Sequence, residues 1–254
     1  MINVILTGAL GRMGRMVAAE LEGDPGTRIS GAVESPGHPG IGSVFHGVPV
    51  VSSLGGVVAD GDVVVDFSSP SATIDFLAVC AGARKPFVSG TTGLSAGQMK
   101  TAAEMSSETA VLISPNMSLG VNLLFRISEE AAKALCDFDI EIVETHHNKK
   151  KDSPSGTAAK IAEIVGKVRS GCECVYGREG MIGERKSTEI GMHSVRGGDV
   201  VGEHTVIFAG EGERFELSHK AHSRKTFARG ALRAVHFMNG KPPGLYTMAD
   251  VLGL

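Results

Sequence analysis

Residues 146–158 read HHNKKKDSPSGTA, which sets two imidazoles, three ammonium groups and a Pro-Ser-Gly-Thr turn directly after an apolar run at 138–143. A solvated helix face spreads its charges at helical spacing among carboxylates. Here the cations gather at the end of an expected strand, and the turn that follows opens a helix. Side-chain charge and helix-start N–H donors converge where an anionic group would sit, so the ligand of this segment is expected to be negative.

A second segment points to a nucleotide. Residues 2–6 are mostly branched and apolar, Gly8, Gly11 and Gly14 follow at three-residue spacing, and a helical run covers 15–21. Strand, glycine turn and helix in this order let backbone approach a pyrophosphate whose charge meets the helix N-terminus. The spacing is GxxGxxG rather than the commoner GxGxxG, and a glycine turn without nucleotide competes until the next strand is read. That strand, 28–33, ends in Glu34, twenty residues past Gly14. A carboxylate there accepts hydrogen bonds from adenosine ribose hydroxyls.

The elements that must position these groups alternate regularly. Strands are expected at 62–67, 86–89 and 111–113 and helices at 71–83 and 95–106, which indicates a parallel sheet covered on both faces. The loops after these strands carry DFSSP at 66–70, GTTG at 90–93 and SPNM at 114–117, on the edge where open α/β sheets bind ligands. For GTTG a plain turn and helix start fits the glycines equally well; its place beside the nucleotide loop favours cofactor contact. Apolar residues at 119, 123, 127, 131 and 134 mark one face of a helix joining two lobes. Residues 200–208 and 214–219 form an expected antiparallel hairpin, part of a sheet with one face that another subunit would cover. The helix near 226–237 and the tail 246–254 would return to the first lobe.

A chain of 254 residues suits two lobes. The expected fold class is α/β: a Rossmann-like dinucleotide-binding domain with a second α+β domain carrying an open mixed or antiparallel sheet. A formal net charge of −3 gives no general attraction to nucleic acid or anionic lipid, and no transmembrane run is seen. The start MINVILTGAL lacks the basic leader and cleavage site of a signal peptide, so a cytoplasmic protein is expected. Four irregularly spaced cysteines suit a reducing compartment. Cys172 and Cys174 have no second pair, so no metal site is expected.

With these segments laid out, the chain resembles the dihydrodipicolinate reductase (4-hydroxy-tetrahydrodipicolinate reductase) family of bacterial lysine and diaminopimelate synthesis. The resemblance spans nearly the whole chain. It rests on GALGRMG at 8–14, DFSSP, GTTG, SPNMSLGVN at 114–122, ETHHNKKKDSPSGTA at 144–158, VRGGDVVGEHTV at 195–206, HKAHSRKTFARGA at 219–231 and the ending YTMADVLGL. The histidine segment is the most specific and the glycine loop the least. The resemblance implies a dinucleotide-binding domain of residues 1–117 and 225–254 and a substrate-binding and oligomerisation domain of 118–224. It further implies a homotetramer that uses NADH or NADPH to reduce a cyclic dicarboxylate imine derivative, losing water to give tetrahydrodipicolinate. It makes His146 the proton donor or acceptor and Lys150 the proton donor, and puts His147, Ser155, Gly156 and Thr157 on substrate contacts. Gly8, Ala9, Leu10, Gly11, Arg12, Met13, Glu34, Gly90, Thr91, Thr92, Ser114, Pro115, Asn116 and Met117 fall on cofactor contacts.

The chemistry makes these residue types intelligible. Hydride addition to a conjugated imine builds negative charge on the substrate, so a proton donor and fixed positive charge stabilise the transition state. Lys150 supplies both, and an imidazole poised near neutral pH suits His146. Lys149 and Lys151 read as solvated, Asp152 as a structural partner of the loop, and His193, His204, His219 and His222 as sheet or interface residues. Many relatives place an arginine after the ribose-binding acid, whereas here Glu34 is followed by Ser35, Pro36, Gly37 and His38. Without that guanidinium a 2′-phosphate is disfavoured, so NADH is expected to serve at least as well as NADPH. Two rivals share the architecture. A dinucleotide-sensing regulator would have no use for residues 146–157. Another Rossmann-type oxidoreductase acting on a small dicarboxylate remains an alternative, although one using a thioester would need a thiol better placed than Cys80 or Cys136.

Overall fold

The branched residues at the start of the chain form β1 (Ile2–Thr7), and the glycine turn after it leads into α1 (Arg12–Glu22). A computed structural model describes residues 1–254. Gly8 takes φ +66°, a left-handed conformation that glycine adopts without steric cost. A Cβ on Gly8 would overlap the Phe67 carbonyl, and one on Gly14 would overlap the Gly8 carbonyl. These glycines let the helix start press against the strand end.

The chain continues through β2 (Thr27–Val33), β3 (Val44–Phe45), β4 (Val48–Val51), β5 (Val63–Asp66), α2 (Pro70–Ala83), β6 (Phe87–Ser89), α3 (Ala96–Met105), β7 (Ala110–Ile113) and α4 (Leu119–Ala134). There follow β8 (Asp139–His146), α5 (Gly156–Val168), β9 (Glu173–Tyr176), β10 (Glu189–Arg196), β11 (Gly202–Ala209) and β12 (Arg214–Ala221). Last come α6 (Lys225–Met238), β13 (Gly244–Tyr246) and α7 (Met248–Leu252). Contacts divide the chain into two compact units, Met1–Leu119 with Lys225–Leu254, and Gly120–Arg224.

The first unit holds an eight-stranded sheet in the order β13-β7-β6-β5-β1-β2-β4-β3, parallel except for the β3–β4 pair. Val4, Leu6, Val65, Val88 and Leu112 face α1 and α6, while Ile5, Val64, Phe87 and Val111 face α2 and α3. Burial on both faces is why these strands read as continuous apolar runs. Each fully buried aliphatic side chain contributes about 1.5–3 kcal/mol. The parallel strands all end on one edge, which gathers the loops after β1, β2, β5, β6 and β7.

The second unit holds a five-stranded mixed sheet in the order β12-β11-β8-β10-β9, with β8 parallel to β10 and antiparallel to β11. Ile140, Ile142, Ile190, Met192, Val206 and Phe208 pack under Leu124, Ala132, Ile161 and Val165 of α4 and α5. On the opposite face Val143, Thr145, Thr205 and Ile207 are only half-buried.

Three departures from the sequence reading have physical causes. α1 begins at Arg12, so Gly14 lies inside the helix, where close packing on Gly8 outweighs its poor helix propensity of about 1 kcal/mol. β8 runs past the apolar stretch to His146. Its last inward positions, Glu144 and His146, are polar and satisfy each other, which hydrophobic alternation cannot reveal. The sequence also gave no signal for β3, β4, β9, β10, β13 and α7, most of them short. No helix is long and apolar enough to cross a membrane.

Candidate active site

Glu144 and His146 stand two residues apart on β8 and so share its inward face. Glu144 is fully buried, in register with Ser194 on β10 and His204 on β11. Arg196 donates to both its oxygens, at 2.9 and 2.7 Å; His146 Nδ1 meets Oε2, and the Ser155 backbone N–H donates to Oε1 at 3.2 Å. Burial works to raise the Glu144 pKa, but hydrogen bonds from Arg196, His146 and Ser194 prevail and hold it at about 2. An ionised carboxylate only accepts, so the neutral His146 ring carries its proton on Nδ1 and its lone pair on Nε2. Burial, helped by the charges of Lys150 and Arg196, outweighs Glu144 and pushes the His146 pKa below its ordinary value. At neutral pH the ring therefore presents a basic nitrogen.

Of the three consecutive lysines only Lys150 is half-buried; Lys149 and Lys151 are exposed. The Lys150 ammonium donates to both oxygens of Asp152, at 2.9 and 2.8 Å, and this bond lowers the Asp152 pKa. The Asp152 carbonyl in turn accepts from Arg196 at 2.8 Å, tying the loop to the Glu144 cluster. Ser155 caps α5, its Oγ accepting the Ala158 N–H at 3.2 Å. Gly156 is exposed, and a Cβ on it would meet nothing within 4 Å. Thr157 follows, half-buried. The His147 N–H donates to Val200 O at 2.8 Å, and its Nδ1 is buried without a partner. Glu144 thus joins His146 to the Ser155 turn, while Lys150 is turned onto Asp152.

In the first unit the N-cap of α1 is Gly11, which offers no side-chain cap, and the first turn holds no acidic residue. Its first N–H donors are left for an anion, as a pyrophosphate site needs. Gly11 and Arg12 are exposed, Gly8, Leu10 and Met13 half-buried, and Ala9 buried. Glu34 turns back to this loop: Oε1 accepts the Leu10 N–H at 2.7 Å and Oε2 the Ser35 N–H at 3.3 Å.

Asp66, at the end of β5, is fully buried and accepts from five hydroxyls: Thr7 at 2.7 Å, Ser68 at 2.5 Å, Thr73 at 2.6 Å, Ser89 at 2.7 Å and Thr91 at 2.8 Å. Thr91 also accepts the Ser68 N–H at 3.0 Å, so the loops after β5 and β6 are latched together. Gly90 and Thr92 flank it, half-buried and exposed. After β7, Ser114 Oγ donates to the Asn116 carbonyl at 2.8 Å, Pro115 is exposed and Met117 is buried. Burial and Asp66 push the Cys80 thiol well above its ordinary pKa, which removes it as a thiolate nucleophile.

Family models for dihydrodipicolinate reductase match this chain along both parts, the N-terminus at residues 2–117 and the C-terminus at 120–252. The chain belongs to the dihydrodipicolinate reductase family. Members named 4-hydroxy-tetrahydrodipicolinate reductase include one from Trichlorobacter lovleyi, 48% identical, and one from Geobacter sulfurreducens, 46% identical, each aligned over 100% of both chains. Among solved structures, dihydrodipicolinate reductase from Paenisporosarcina sp. TG-14, bound to dipicolinate, superposes with a TM-score of 0.80 at 24% identity over 98% of each chain. A probable dehydrogenase from Thermotoga maritima reaches 0.63 at 11% identity, over 98% of this chain and 92% of that one. These likenesses establish the α/β fold.

In sequence Glu144, Arg196 and Asp66 stand out only as members of motifs, and His204 only as a sheet or interface residue. Glu144 and Arg196 are 52 residues apart in the chain. The available signal was parity: Glu144 and His146 keep the inward register of Ile140 and Ile142, where a lone polar residue would demand a buried partner.

Proposed function

We propose that the chain is a nicotinamide-dependent reductase that converts 4-hydroxy-tetrahydrodipicolinate to tetrahydrodipicolinate with loss of water. Family membership supports the reaction. The observation that carries the site is the ionised Glu144, which sets His146 with a basic Nε2 and anchors the turn that opens α5.

In this reading the first unit, residues 1–117 and 225–254, binds the dinucleotide, and residues 118–224 bind the substrate and mediate assembly. The uncapped start of α1 receives the pyrophosphate, with Gly8, Ala9, Leu10, Gly11, Arg12 and Met13 around it. Glu34 receives the ribose hydroxyls. The latched loop of Gly90, Thr91 and Thr92, and that of Ser114, Pro115, Asn116 and Met117, complete the contacts. When bound, the reduced cofactor supplies a hydride.

The substrate carboxylates are received by the Ser155-Gly156-Thr157 turn and His147, where open space over Gly156 admits an oxygen close to the backbone. Lys150 leaves Asp152 for the ligand, offers charge where the anion develops, and delivers the proton; His146, neutral at working pH, takes up a proton at Nε2. The half-buried sheet face of Val143, Thr145, Thr205 and Ile207 is covered by other copies in a homotetramer.

A coupled assay with freshly generated 4-hydroxy-tetrahydrodipicolinate, following oxidation of NADH and of NADPH, tests substrate and cofactor together. Glu34 is followed by Ser35, Pro36, Gly37 and His38, with no arginine directly after it to meet a 2′-phosphate, so kcat/KM with NADH should equal or exceed that with NADPH. A large NADPH advantage refutes that preference, and no oxidation of either cofactor refutes the reaction.

A further inference from the structure

His204 lies on the inward face of β11, 3% exposed, in register with Glu144 on β8 and His219 on β12. Its ring stands edge-on to that of His146, with centroids 5.2 Å apart. Its Nε2 is 3.0 Å from Ser155 Oγ, whereas its Nδ1 is buried and has no hydrogen-bond partner.

These contacts admit two tautomers, which differ in the donor they leave over. A serine hydroxyl has two lone pairs and one hydrogen, and the Ala158 N–H already takes one lone pair of Ser155. With the ring proton on Nδ1, Ser155 would spend its hydrogen on Nε2, and a buried N–H would be left with no acceptor. With the proton on Nε2, the ring donates to the second lone pair of Ser155, Nδ1 keeps only a lone pair, and the donor left over is the Ser155 O–H at the start of α5. Only the second tautomer puts the spare donor on a rotatable hydroxyl at the proposed anion turn, where a ligand can accept it, and not on a ring N–H enclosed by protein. Burial, reinforced by His146, lowers the His204 pKa to about 4, so at neutral pH the ring holds a single proton to place.

We propose that His204 is a positioning residue of the anion site: its Nε2–H donates to Ser155 Oγ and so reserves the Ser155 hydroxyl hydrogen for a substrate carboxylate oxygen. The inference rests on the proposed reading of the Ser155 turn as that site. His204 itself need not touch the substrate. Its effect is to prevent Ser155 from turning inward to donate to the protein, which would present a lone pair to an anion.

The test uses the full-length enzyme, with dipicolinate as a non-reacting dicarboxylate probe and with turnover measured separately. Long-range proton–nitrogen correlation spectra of nitrogen-15 histidine-labelled enzyme, with the His204 signals assigned by their loss in His204→Gln, should show a protonated Nε2 and a bare Nδ1 with and without dipicolinate. A protonated Nδ1 overturns the proposal. His204→Leu should weaken dipicolinate and raise substrate KM about ten- to a hundredfold, the worth of one charge-assisted hydrogen bond, with cofactor KM unchanged. His204→Gln, whose amide nitrogen can reach the Nε2 position, should recover most of the loss. A fall in kcat or thermal stability without a change in KM, or no rescue by glutamine, assigns His204 a packing role only. Ser155→Ala separates the two levels. If it leaves dipicolinate affinity unchanged, the reading of the turn as an anion site fails. If it weakens dipicolinate while His204→Leu does not, only the role of His204 fails.

Discussion

Two buried carboxyl groups, one in each unit, sit in the middle of cross-strand rows and make opposite uses of that place. Asp66 lies in register with Thr7 and Ser89 and is ringed by five hydroxyls, all neutral donors. Glu144 lies in register with Ser194 and His204 and is bound by a guanidinium, an imidazole and a backbone N–H. Hydroxyls rotate to suit an acceptor and lock loops without fixing any protonation state. A guanidinium and an imidazole on one carboxylate fix charge, tautomer and ring orientation together. The first row is a latch for the edge that the cofactor is proposed to use, and the second fixes the imidazole that is proposed to move a proton.

Removing each carboxylate charge should separate the two roles. Glu144→Gln leaves Arg196 and His146 without their anion, so kcat should fall about a hundredfold or more and stability by about 3–5 kcal/mol. Steady-state kinetics and calorimetry measure both. Unchanged kcat would show that the imidazole does not depend on this carboxylate.

Acid should also act on the second row. The His204 pKa is depressed from 6.5 to about 4, so the neutral ring contributes stability that is full above pH 6.5 and is lost as pH falls through about 4. By linkage this is worth about 3 kcal/mol. His146 and His219, both pushed down by burial, add in the same direction. The melting temperature should drop across pH 6.5 to 4, and His204→Gln should flatten that slope; an equally steep slope in the variant contradicts the assignment.

Asp66→Asn should cost less, about 1–3 kcal/mol, because a side-chain amide can still accept on one oxygen. Dipicolinate affinity should stay as in wild type, since the row belongs to the other unit. A matching loss of dipicolinate binding would erase the contrast drawn above.

The smallest change expected in stability is that of Gly156→Ala, within about 0.5 kcal/mol, because a Cβ there meets no protein atom. Its substrate KM should nonetheless rise, since the methyl group fills the space assigned to the ligand. Unchanged KM would place the ligand elsewhere.

What could be read from the chain divides along the same line. Strand, glycine loop and helix at 2–22, the βα alternation to Ile113, the antiparallel β11–β12 hairpin and the family resemblance were all legible, because local periodicity and turn chemistry encode them. Cross-strand register is not local. Nothing in the sequence aligns Glu144 with His204, sixty residues on, or brings Arg196 onto the same carboxylate. The run of three lysines does not itself encode that Lys150 is half-buried between exposed Lys149 and Lys151. The Lys150–Asp152 bond fits the structural part given to Asp152. His204 lies in β11, as the reading of it as a sheet or interface residue expects, and its contacts with Ser155 and His146 come from packing that is not local in sequence.

Proton delivery is proposed to reside in the His146–Lys150 segment and cofactor binding elsewhere. Single-turnover oxidation of NADH by a Lys150→Met, His146→Gln double variant, alongside NADH titration by fluorescence, tests it most directly. NADH affinity should stay within about twofold of wild type and the rate should fall by roughly a thousandfold or more. A rate near wild type, or a loss of NADH binding as large as the loss of rate, would contradict it.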